Sequence, residues 1–122
     1  GGAGLFLMGR DPKAVEHGDS YLVYVSRGTE VAGKKGAVCI GKFVNDKPEA
    51  SWSPKFALPA GTNDWVSLKI LFTASKGEFI ISINGKTIGH AQDKSPIMTG
   101  NHVCLHSFGT AARFRRVRFD RR

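Results

Sequence analysis

The sequence predicts an all-β fold, a two-sheet antiparallel β-sandwich of roughly eight or nine short strands. Three observations carry this expectation. Apolar residues alternate with polar ones at period two along most of the chain. Turn residues break that alternation about every eight to twelve positions. Glycine is abundant, at 15 of 122 residues, as short elements joined by tight turns require.

The strands are read in chain order. Gly4 to Met8 is short and apolar, and Ser20 to Ser26 sets Tyr21, Val23 and Val25 against Leu22 and Tyr24. Ala37 to Phe43 follows a turn placed at Gly33-Lys34-Lys35-Gly36. A weak strand over Ser51 to Phe56 is interrupted by Pro54, which suits an edge. Trp65 to Ala74 puts Val66, Leu68, Ile70 and Phe72 on one face, and Glu78 to Ile83 does the same with Phe79, Ile81 and Ile83. Asn84-Gly85 is the strongest hairpin signal, because a type I′ turn needs positive φ at both positions. Lys86 to His90 returns from it, and Asn101 to Ser107 and Ala112 to Phe119 close the domain. Asp11 to His17 opens like a helix, but Gly18 ends it within two turns.

Composition narrows the function classes. One domain over residues 1–122 is expected, and a hydrophobic fraction of 41% excludes a disordered tail. No signal peptide opens the chain, and its apolar runs are too short to span a bilayer. The Gly1-Gly2 start is compatible with a domain cut from a larger protein. Cys39 and Cys104 are too few for a disulfide framework and read as two buried free thiols.

The net charge is +8, and residues 113–122 hold six arginines against one acid. Arg113, Arg115, Arg116 and Arg118 are therefore candidate anion-binding residues, for sulfated glycan, nucleic acid or an acidic protein face. The competing reading is a solvated edge strand whose charge blocks pairing with other chains.

From Asp64 onward the pattern resembles the concanavalin A-like and laminin G-like jelly-roll superfamily. The resemblance rests on Trp65-Val66-Ser67-Leu68-Lys69-Ile70 and on Gly77-Glu78-Phe79-Ile80-Ile81-Ser82-Ile83-Asn84-Gly85-Lys86. It extends through Gly100-Asn101-His102-Val103-Cys104-Leu105 to the closing Ala112-Arg113-Phe114-Arg115-Arg116-Val117-Arg118-Phe119. Gly4 to Met8 and Ser20 to Tyr24 fit the early paired strands of the same fold. The resemblance implies a recognition domain, with carbohydrate as the leading ligand class and an extracellular or surface setting. The chain departs from it at Arg115-Arg116, where many relatives carry Asp-Asn. Phe114 and Val117 also have opposite parity, which predicts a bulge between them.

Catalytic constellations are missing from the pattern. Glycosidases need two facing carboxylates, whereas Glu16, Glu30 and Glu49 fall in expected loops and Glu78 at a turn. His102, Cys104 and His106 alternate along one strand and, joined by Cys39, would offer mixed zinc ligands. The close-spaced ligand pairs of zinc sites are missing, so no metal site is expected there. Asp19, Asp46, Asp64 and Asp93 lie in loops where related folds bind calcium, and where aspartate also simply forms turns. The off-core parity carries Leu22, Tyr24, Trp65, Leu71, Ile80 and Cys104, which predicts one sheet with a partly apolar outer surface. Tyr24, Trp52, Trp65, His102 and His106 are the candidate ligand contacts. A non-catalytic carbohydrate-recognition module is the leading expectation. A protein-docking or assembly domain is second, and polyanion or nucleic-acid binding third.

Overall fold

The computed structural model describes residues 2–9, 18–62, 65–98, 100, 102–109 and 112–119. Its strands are β1 (Gly2–Gly9), β2 (Ser20–Val31), β3 (Lys34–Val44), β4 (Lys47–Pro48) and β5 (Lys55–Ala57), followed by β6 (Leu68–Thr73), β7 (Glu78–Ile83), β8 (Lys86–Gln92) and β9 (His102–Phe108). A 3-10 turn, Ala74–Lys76, lies between β6 and β7. The larger sheet runs β4-β3-β2-β1-β9, with β5 also paired to β3, and the smaller runs β6-β7-β8. All the pairings are antiparallel. The protein is thus all-β with two antiparallel sheets, a sandwich-like arrangement.

The alternation read from the sequence explains the core. Tyr21, Val23, Val38 and Ile40 from the larger sheet meet Phe79, Ile81 and Ile83 from the smaller. Val66, Leu68, Ile70 and Phe72 pack against the same cluster. Trp52, from the loop between β4 and β5, joins them from the side. Its ring lies 5.7 Å from Tyr21 and 5.8 Å from Phe79, and its indole N–H donates to the Gln92 carbonyl at 2.9 Å.

Turn chemistry sets the hairpins. Asn84 and Gly85 have φ of 51° and 84°, as the type I′ reading requires. The β2–β3 turn falls on Ala32-Gly33, φ 52° and 79°, so β3 begins at Lys34, earlier than the alternation alone suggested. Gly4 is a close-approach position, since a methyl there would sit 2.6 Å from the Tyr24 Cα atom.

Several expectations need correction. Ala112 to Phe119 is not a strand: its described residues lie outside both sheets and are exposed. The parity break noticed at Arg115-Arg116 corresponds instead to a bend, with Arg116 at φ 53°. The exposed edge of the larger sheet on this side is β9, which carries no formally charged Lys, Arg, Asp or Glu. Glu30 lies within β2 and not in a loop, because β2 runs on past Ser26 through a register shift. The segment expected over Ser51 to Phe56 shortens to β5, and the strand expected from Trp65 starts at Leu68. Asp11 to His17 lies outside the described residues.

The apolar outer face is also divided. Leu22, Tyr24 and Cys104 belong to the larger sheet and Leu71 and Ile80 to the smaller, and Leu22 is buried, so no single apolar outer surface holds them. The three-strand sheet is narrower than its partner. Val103 and Leu105, on the inward parity of β9, therefore stay 40% and 44% exposed.

Candidate functional site: an exposed tryptophan under an arginine

Trp65 enters on a short segment anchored at the two residues that follow it. Val66 packs on the core. Ser67 is tied to the β7–β8 turn, donating its N–H to Asn84 Oδ1 and accepting the Asn84 N–H at its carbonyl, both at 2.9 Å. The Asn84 side chain therefore serves the turn and the Trp65 segment together. Trp65 itself remains 46% exposed. Over its ring, 3.9 Å from the centroid, lies the Arg115 guanidinium. The ring quadrupole attracts the cation, an interaction of about 0.5–1 kcal/mol at an exposed site. The bend at Arg116 follows immediately, with Arg113, Arg116 and Arg118 exposed around it. Two candidate residues 50 positions apart, one read as a sugar contact and one as an anion contact, thus form one surface feature.

The other candidates are placed differently. Tyr24 sits half-buried on the outer face of the larger sheet, paired with Cys39 across the ladder. Burial, and secondarily the neighbouring Cys39 thiol, pushes its phenol above the ordinary range. His106 lies on the same face, edge-on to Phe6 at 4.8 Å. His102 is half-buried at the start of β9. Trp52 is committed to the core by its ring contacts and its hydrogen bond to Gln92.

The topology removes the mixed zinc set. Cys39 is in line with Tyr24, Gly4 and His106. Three strand spacings therefore separate Cys39 from β9, about 14 Å, far beyond both a shared metal and a disulfide. Both thiols are free, Cys39 buried and Cys104 exposed, which corrects the expectation that both are buried. No group of three His, Cys, Asp or Glu side chains able to hold a metal occurs among the described residues. The loop aspartates serve turns or the interior: Asp19 accepts the Asn45 N–H at 2.7 Å, and Asp46 accepts the Gly18 N–H. Asp64 lies outside the described residues.

Asp93 is the buried exception, and its role was not legible from sequence. Its Oδ2 accepts from Lys42 Nζ at 2.6 Å and from the Tyr21 hydroxyl at 2.7 Å, while Oδ1 accepts the Ser95 N–H at 3.0 Å. Lys42 also donates to the Ser95 carbonyl at 2.6 Å, and Tyr21 Oη accepts the Ile97 N–H at 2.9 Å. The Lys42 and Asp93 side chains are only 8% and 5% exposed. Burial pushes the Asp93 carboxyl upward. The hydrogen bonds from Lys42, Tyr21 and Ser95, with the Lys42 charge, outweigh it and hold the carboxyl below the usual range. This is a structural clamp on the 93–97 segment. No buried side-chain polar atom among the described residues lacks a hydrogen-bond partner.

Compared with known proteins, the chain matches no protein-family model, no curated protein and no solved structure. No helix among the described residues is long and apolar enough to cross a membrane.

Proposed function

We propose that this domain is a non-catalytic recognition module for carbohydrate of the acidic class, contacted through Trp65 and Arg115. The observation that supports this reading is the Arg115 guanidinium over the half-exposed Trp65 ring. An aromatic face offers a sugar ring an apolar platform, and a planar guanidinium offers a carboxylate or sulfate a two-pronged donor. The resemblance to concanavalin A-like recognition domains supports carbohydrate as the ligand class, and the acidic character rests on Arg115 alone, at a position where the chain departs from that pattern.

Calorimetric titration with a heparin oligosaccharide tests it, with an uncharged glucan of the same length as reference. Heparin is expected to bind and the glucan to bind far more weakly. Trp65→Ala should cost about thirtyfold in affinity, the scale of an aromatic anchor. Arg115→Lys should fail to restore what Arg115→Ala loses, because a point charge cannot replace the planar fork. Unchanged affinity in Trp65→Ala, or equal affinity for single-stranded DNA of matched charge, overturns the proposal.

A second reading, protein docking, is favoured by one specific observation. Val103 and Leu105 are exposed on the uncovered part of the larger sheet, and Phe114, Val117 and Phe119 are exposed nearby in sequence. If this surface self-associates, light scattering should show a mass that rises with concentration and falls to the monomer in Leu105→Lys. A monomeric mass at every concentration removes self-association.

A further inference from the structure

The edges of the two sheets are guarded unequally. A lysine or proline on an edge strand hinders its backbone from pairing with another chain. Among the described edge strands, β4 carries Lys47 and Pro48, β5 carries Lys55, β6 carries Lys69 and β8 carries Lys86. The remaining one, β9, has seven residues and no Lys, Arg, Asp, Glu or Pro. No described edge strand is longer.

This edge is exposed on both of its faces. Among the described residues β9 pairs with β1 alone. Val103, Leu105 and Ser107 on one parity and Cys104 on the other are all exposed. Val103 and Leu105 stand opposite Leu7 and Leu5 in the ladder, and Leu7 packs against the core. The strand thus combines an uncharged edge with an apolar inward parity.

We infer that β9 pairs with β9 of a second copy, antiparallel and about a two-fold axis, so that the larger sheets of two molecules become one. This rests on the docking reading above and names its partner. The chemistry singles out a copy. The ladder needs a second edge that is equally long and free of charge, and an isologous contact supplies one by symmetry. Like charges placed opposite each other weaken a ladder, and β9 brings no lysine, arginine or carboxylate to face its own image. A two-fold axis perpendicular to the sheet keeps the inward parity of both strands on one side. Val103 and Leu105 of one copy then lie beside those of the other. The net charge of +8 opposes association, and high salt screens that repulsion.

Analytical ultracentrifugation in reducing buffer at high salt compares the wild type with Cys104→Ser, Cys104→Lys and Leu105→Lys. The wild type should form a dimer whose population rises with concentration. Cys104→Ser leaves the edge uncharged and should associate as the wild type does. Cys104→Lys guards the edge from the face opposite Leu105 and should weaken association roughly tenfold. Circular dichroism checks that each variant keeps its fold. If Leu105→Lys abolishes the dimer and Cys104→Lys leaves it unchanged, the apolar docking surface stands and edge pairing is overturned. A wild type that is monomeric at every concentration removes both. Hydrogen exchange reads the pairing directly. Alternate amides of β9 point away from β1, and these should exchange roughly tenfold more slowly in the wild-type dimer. Unchanged exchange at those amides overturns edge pairing even where a dimer forms.

Discussion

Asp93→Ala is expected to lower unfolding free energy by about 3–5 kcal/mol, the cost of leaving a buried charge without its partner. For a chain of this length that corresponds to roughly 10–20 °C in Tm. The carboxylate is the hub of the clamp: Lys42, Tyr21 and the Ser95 N–H all donate to it. Its removal strands the Lys42 ammonium, 8% exposed, and leaves the Tyr21 hydroxyl without its acceptor. Lys42→Met should be nearly as damaging, because it strands the carboxylate. Lys42→Met/Asp93→Leu should recover most of the loss, since replacing a buried ion pair by apolar groups is often close to neutral. Urea denaturation of the four proteins measures the two losses and the recovery. A loss below about 1 kcal/mol in Asp93→Ala would show that the clamp does not hold the fold.

The same clamp sets a pH dependence with a definite sign. Asp93 is held below the ordinary aspartate value of about 3.9. Its contribution is therefore complete above the unfolded-state value and disappears as pH falls through the folded-state value. The stability gap between wild type and Asp93→Asn should be constant from neutrality to about pH 5 and should narrow below about pH 4. Tyr21 behaves in the opposite sense. Burial first, and its bond to Asp93 second, raise its phenol far above the ordinary value. That contribution is present below about pH 10 and is lost as the pH climbs beyond it.

Phe79→Ala should cost about 3–5 kcal/mol, by lost burial and by the cavity left behind. Phe79 is fully buried and joins the two sheets. Its ring stacks on Phe72 at 4.6 Å, meets Tyr21 edge-on at 4.9 Å and touches the Trp52 cluster. Phe79→Leu, which keeps most of the volume, should lose less. The change is also visible optically, because Trp52 would gain solvent contact while Trp65 is already exposed. A red shift in the fluorescence of Phe79→Ala that persists in a Trp65→Phe background would assign it to Trp52. An unshifted spectrum in that background would show that Phe79 does not shield Trp52 from solvent. Because Tyr21 touches both Asp93 and Phe79, the two losses should not be additive.

Local pattern made much of this architecture legible. The inward stripes Val66-Leu68-Ile70-Phe72 and Phe79-Ile81-Ile83 could be read directly, because a strand's two faces alternate without exception between bulges. Asn84-Gly85 was legible for a similar reason, since few residue pairs accept positive φ at both positions. Trp65 and Arg115 could each be marked as a contact, one by its exposed aromatic chemistry and one by its charge. The closing strand failed because the alternation of Phe114, Val117 and Phe119 does not distinguish a paired strand from an extended segment that finds no edge. The Asp93 clamp was invisible, since Lys42, Tyr21 and Asp93 are unremarkable until β2, β3 and the segment after β8 bring them together.

Sequence alone therefore determined the all-β class, the inward residues of both sheets and the concentration of charge near the end of the chain. Those properties depend on neighbours a few positions away. Tertiary structure decided that Asp93 is a buried partner of Lys42 and Tyr21 rather than a loop ligand, and that Cys39 and β9 lie three strands apart. It also decided that Arg115 lies over Trp65. Each of these joins residues distant in sequence, and strand order, which no local pattern encodes, sets which of them meet.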